Sequence, residues 1–135
     1  MRFSQDRIFG IGSSVRQFLS NVHAGKPWQE CGTPSAGNEA LMRIAPVIIP
    51  HVRNPSPDLW IDTVRCATVT HNDTASLSAC LCFVSILWDL LGMKSAPEPK
   101  WWMDRYVAVA EEFETDTAYS NSPTVAHKRA TFFTI

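Results

Sequence analysis

The stretch from Ala75 to Met93 constrains the fold more than any other. It reads Ala-Ser-Leu-Ser-Ala-Cys-Leu-Cys-Phe-Val-Ser-Ile-Leu-Trp-Asp-Leu-Leu-Gly-Met, apolar or small almost all the way round. A helix without a polar face must be wrapped by other elements, so this segment is expected to be the central core helix. Its length nearly suffices to span a bilayer. Ser76, Ser78, Ser85 and Asp89 interrupt it, however, and that polar content favours a buried helix of a soluble protein. Asn72 or Asp73 can cap its start, and Gly92 its end.

The rest of the chain reads as shorter helices that could wrap this core. Ser14-Val-Arg-Gln17 fits a capping box, predicting a helix from about Val15 to Ala24 with Val15, Phe18, Leu19 and Val22 buried. Gly25 suits the left-handed position that follows, and Pro27 prevents continuation. Trp28 is expected to pack the short segment after it. Gly32 to Asn38 is a turn-forming stretch with Asn38 as the N-cap of the next helix, whose apolar face is Leu41, Ile44, Ala45 and Ile48. Pro46 lies inside that pattern and demands a kink or a restart. Ser56-Pro57-Asp58 is a strong helix start, after which Trp60, Val64, Ala67 and His71 fall on one face. Beyond a linker at 95–100, a last amphipathic helix is predicted from Trp101 to about Thr115. Trp102, Tyr106, Val109, Ala110 and Phe113 should turn inward, and Asp104, Glu111, Glu112 and Glu114 outward. Residues 119–135 show no period and end on an apolar, uncapped Ala-Thr-Phe-Phe-Thr-Ile, as if the chain stopped before its next element. No strand pattern or internal repeat is present, so the fold class is all-α.

Residues 1–135 are short enough for a single domain, and an apolar content of 45% is too high for disorder. The net charge of −1, with no basic block, argues against a nucleic-acid groove or a membrane-surface patch. Cys31, Cys66, Cys80 and Cys82 form no CxxC pair and no zinc-finger spacing. They read as buried free thiols of a reducing, cytoplasmic compartment. Residues 1–7 contain no apolar signal core.

Two polar corners carry what chemistry the residues offer. The Gly32–Asn38 turn opens onto a helix start, where unpaired N–H groups and aligned peptide dipoles favour an anion such as a phosphate. Thr70-His71-Asn72-Asp73 forms a second corner between two apolar helical patterns. The two corners are expected to face one pocket. Arg43 reads as an ion-pair or carbonyl contact, Asp73 as a cap rather than a catalytic acid, and Trp60, Trp88, Trp101 and Trp102 as core.

Ser35-Ala-Gly-Asn-Glu-Ala-Leu-Met-Arg-Ile-Ala-Pro46, followed by Thr70-His71 and Asp73, resembles the middle of an ADP-ribosylglycohydrolase. That family carries a Gly-Asn-Gly-x-x-Met-Arg-x-Ala-Pro motif and, after a helix, a Thr-His pair. Gly10-Ile-Gly12, Trp28 and Tyr106 come in a similar order, and the resemblance covers most of residues 8–120. It implies an all-α, orthogonal helical bundle and hydrolysis of the bond between ADP-ribose and a protein side chain or small molecule, assisted by two magnesium ions. It assigns Ser35, Ala36, Gly37, Asn38 and Glu39 to the loop that contacts ADP-ribose, and His71 to a substrate-contacting histidine.

Two departures stand out. Glu39 replaces the family's usual glycine, and a carboxylate there would repel a phosphate unless it turned into solvent. The family's metal ligands come from a Thr-Asp-Asp segment upstream and an Asp-x-Asp-Thr segment far downstream, neither of which occurs in this stretch. Glu114-Thr-Asp-Thr117 follows His71 too soon to be the latter. The expectation is a partial, incomplete domain that supplies the loop and histidine but not the magnesium ligands, and is inactive alone. Its alternatives are a non-catalytic ADP-ribose-binding remnant and a helical structural or assembly protein. Apolar surface left uncovered in a fragment would favour self-association.

Overall fold

The computed structural model describes residues 10–113. Five α-helices follow one another: α1 (Ser13–His23), α2 (Leu41–Ile44), α3 (Asp58–Thr68), α4 (Thr74–Gly92) and α5 (Pro99–Phe113). Short 3₁₀ segments run over Trp28–Glu30 and Ala45–His51. The architecture is all-α, as the periodicity requires; among the described residues the only β contact is one isolated bridge, between Thr33 and His71.

Helix α4 is the core element. The Asp73 side chain accepts from the Ala75 N–H at 2.9 Å and starts the helix. One face of α4, centred on Cys80 and Val84, packs against Ala40, Ile44, Ile48, Leu59 and Ala67 from α2, α3 and their neighbours. Another face, Leu81 and Cys82, packs against Val109 of α5 and Val64 of α3. By length and a mean hydropathy of 1.8 this helix could also cross a membrane, a test that the core helix of a water-soluble protein passes as well.

The proline pattern acts as expected. Helix α2 runs for one turn, and the chain then tightens into the 3₁₀ segment that contains Pro46 and Pro50. Gly25 adopts φ +81° after α1. There the Lys26 N–H returns to the Asn21 carbonyl and the Gly25 N–H to that of Val22, the left-handed helix ending that glycine permits. At α3 the Ser56 hydroxyl oxygen accepts from the Asp58 N–H at 3.2 Å, but the N-cap position falls on Pro57 rather than on Ser56.

Several local expectations fail. No capping box forms at α1: Gly12 is the N-cap, the Ser14 hydroxyl turns to Glu39, and Gln17 donates to Asn21. Among the residues of α1 only Ser14 is buried, with Leu19 and Val22 exposed, and Trp28 is exposed as well. Asn38 caps nothing by its side chain, because α2 begins at Leu41. On α3, Ala67 is buried as expected, and so is His71 beyond its end, but Leu59 and Thr63 fill the first two turns of the buried line in place of Trp60 and Val64, and Trp60 is 39% exposed. On α5, Val109 and Ala110 are buried, whereas Trp102, Tyr106 and Phe113 are exposed. Cys66 is exposed, unlike the other three cysteines. Residues 1–9, Glu114-Thr-Asp-Thr117 and the 119–135 tail lie outside the described residues.

Candidate functional site

The two polar corners meet. The Thr33 N–H donates to the Thr70 carbonyl at 3.2 Å, and the Asn72 N–H donates to the Thr33 carbonyl at 2.7 Å. The Thr33 hydroxyl adds a 2.8 Å bond to the Thr70 carbonyl. Gly32 makes this approach possible, since a Cβ there would run into the Thr68 carbonyl oxygen at the end of α3. The loop is thereby stitched to the α3–α4 corner.

Arg43, from the one-turn helix α2, finishes α3. Its Nη2 donates to the Cys66 carbonyl at 2.9 Å and to the Thr70 hydroxyl oxygen at 2.6 Å. A guanidinium satisfies carbonyls at a helix C-terminus, where positive charge is favoured. This is the carbonyl contact expected from the sequence.

A directed network runs from there into His71, which is fully buried. Thr70 Oγ1 is 2.8 Å from His71 Nδ1, and His71 Nε2 is 2.9 Å from Glu39 Oε2. Arg43 can only donate, so Thr70 accepts from it and has its own proton for Nδ1. With the imidazole neutral, Nε2 then carries the hydrogen and donates to the Glu39 carboxylate. The carboxylate, which can only accept, thus selects the tautomer, and the hydroxyl holds the tilt of the ring.

Gly37 lies against this imidazole. A Cβ on Gly37 would stand 3.3 Å from His71 Nε2. The Gly37 carbonyl accepts from Ser76 Oγ at 3.0 Å, which ties the bend to α4. Ser35 Oγ accepts from the Gly37 N–H at 3.3 Å. Ala36 is partly buried and Asn38 is exposed. The carboxylate of Glu39 turns toward His71 rather than into solvent, with Ser14 Oγ 3.4 Å from the same oxygen.

Two corrections follow. The corners close on each other by direct contact, while a cleft of about 300 Å³ lies elsewhere, among α3, α4 and α5, lined by Trp60, Leu81, Arg105 and Phe113. The helix behind the bend is a single turn, so its dipole adds little to anion binding. Sequence reasoning singled out Gly37, Glu39 and His71 but read Ser14 as a helix cap and gave Thr33 and Ser76 no place at the site. Lone hydroxyl residues carry no periodic or motif signal, and long-range contacts alone reveal them.

A magnesium site does not fit these residues. Among the described residues no three His, Cys, Asp or Glu side chains converge on one point. The acids nearest the site are engaged: Glu39 with His71, and Asp73 at the N-terminus of α4.

The family model described as ADP-ribosylglycohydrolase matches residues 1–130. No curated protein and no solved structure gives a match.

Proposed function

Since the chain belongs to the ADP-ribosylglycohydrolase family, we propose that its Ser35–Glu39 bend and His71 together hold ADP-ribose. The reaction such a site would serve is release of ADP-ribose from a cytoplasmic protein side chain or small molecule. The observation that carries this reading is the close approach of Gly37 to His71 Nε2, enforced by the Thr33–His71 bridge. A glycine backbone without side-chain obstruction beside an oriented N–H donor suits a diphosphate or ribose oxygen. Arg43 and Thr70 orient the imidazole, and Ser76 anchors the bend. Assistance of the hydrolysis by magnesium is what membership of the family implies.

Calorimetry with ADP-ribose, with and without magnesium, tests the proposal. Binding that is lost in His71→Ala and weakened in Asn38→Ala supports it. Binding independent of magnesium and without turnover identifies a non-catalytic ADP-ribose-binding remnant.

A structural or assembly role is the second reading. One observation favours it: both ring nitrogens of the fully buried His71 already have partners within the fold. Under that reading neither variant changes any binding, and His71→Ala shows only a loss of stability.

A further inference from the structure

His71 and Glu39 are bonded to each other but differ in freedom. The imidazole is fully buried and held from behind by Thr70. The Glu39 side chain is 45% exposed and reaches the imidazole from the open side. Its Oε2 takes the Nε2 hydrogen bond at 2.9 Å, with Ser14 Oγ at a looser 3.4 Å. Its Oε1 lies against Gly12, 3.4 Å from where a Cβ would stand. Rotation of the Glu39 side chain would return its carboxylate to water, whereas Thr70 keeps the ring in place.

We propose that Glu39 is a displaceable latch, its carboxylate filling the place on His71 Nε2 that an anionic ligand oxygen would take. The inference rests on the ADP-ribose reading above. One N–H cannot serve two full-strength acceptors, and two anions at that distance repel. A ligand phosphate therefore binds only molecules in which Glu39 has swung out. Its apparent affinity is reduced by the fraction of molecules in that open state. Contacts from Glu39 to the start of α1 make the same latch sensitive to how α1 is seated.

The test uses the full chain, with ADP-ribose and inorganic pyrophosphate as probes in calorimetry. Glu39→Gly should bind about tenfold tighter than the unsubstituted protein, the scale of one charge-assisted hydrogen bond released from competition. Glu39→Gln should gain less, because its amide oxygen still accepts from Nε2. Adding His71→Ala to Glu39→Gly should abolish the gain. Glu39→Ala serves as a second variant should the glycine destabilise the bend, with melting temperatures confirming the fold.

Equal or weaker binding by Glu39→Gly and Glu39→Ala, with His71→Ala still weakening the unsubstituted protein, overturns the latch and leaves the binding reading standing. No binding by any variant overturns both. Nitrogen NMR of the free protein gives an independent readout: a His71 Nε2 signal unmoved by Glu39→Gly also overturns the latch.

Discussion

At Gly32 the loop backbone runs against the end of α3 with no room for a methyl group. Gly32→Ala is therefore expected to push Thr33 out of its bridge with His71 and to cost about 2 kcal/mol, the scale of an overpacked interior. A lowered urea midpoint with an unchanged m-value checks this. Thr70 matters for a different reason, because its hydroxyl accepts from Arg43 and orients His71 Nδ1. Thr70→Val keeps the shape, leaves both partners short of a bond, and should cost on the order of 2 kcal/mol. The His71 Nδ1 signal should shift in the nitrogen NMR spectrum while Nε2 stays protonated against Glu39, a change that a mere packing defect would not produce. Residues of this kind were only half legible. Thr70-His71 is visible as a pair in the chain, but the Arg43 and Glu39 ends of the network come from segments distant in sequence.

Helix α4 illustrates what periodicity can and cannot say. An all-round apolar helix identified the core, yet it could not say which partner covers which face. Cys80 and Cys82 turn to different clusters although they are two residues apart. Burial drives the Cys80 thiol up from its ordinary 9.0 to about 11, opposed in part by Arg43, and raises Cys82 against a smaller opposing effect of Arg105. Between pH 9 and 11 the unfolded chain has lost the Cys80 proton while the folded one keeps it. Unfolding then releases a proton, so this contribution to stability is intact below pH 9 and is lost as pH rises through 11. Denaturant midpoints across that range should fall, and fall less steeply in Cys80→Ala. At pH 8 the exposed Cys66 should react with a disulfide reagent well before Cys80 and Cys82, whose neutral thiols are poor nucleophiles. On α3 and α5, Ala67, Val109 and Ala110 turn inward as expected, but the aromatic positions failed because those residues were assigned to the core by their apolarity. Trp60 and Trp102 are instead large enough to cover an edge while part of each ring stays in water.

The molecule as a whole is unevenly consolidated. Among the described residues α4, α3, α5 and the Ala40–Ile48 segment supply the buried core, while α1 buries only Ser14. Hydrogen exchange should accordingly show the slowest amides in α4 and much faster exchange in α1, since local opening is easiest where little apolar surface is buried. Met42, Ile49 and Val52 are exposed, as are Leu19, Val22 and Trp28 near α1. Self-association is the expected consequence. Sedimentation coefficients that rise with concentration would show it, and a single monomeric species throughout would refute it.

Local rules in the chain determined the helices themselves: Asp73 caps α4, Gly25 ends α1, Pro46 breaks the run after Ile44, and an apolar helix at 75–92 has to lie at the centre. These depend on backbone geometry and periodicity, which act over a few residues. Tertiary structure alone decided that Glu39 lies on His71, that Arg43 closes α3, and that the Gly37 bend meets the Thr-His corner by contact. Such pairings join segments some 30 residues apart and depend on where packing sets each backbone, a quantity no local pattern encodes.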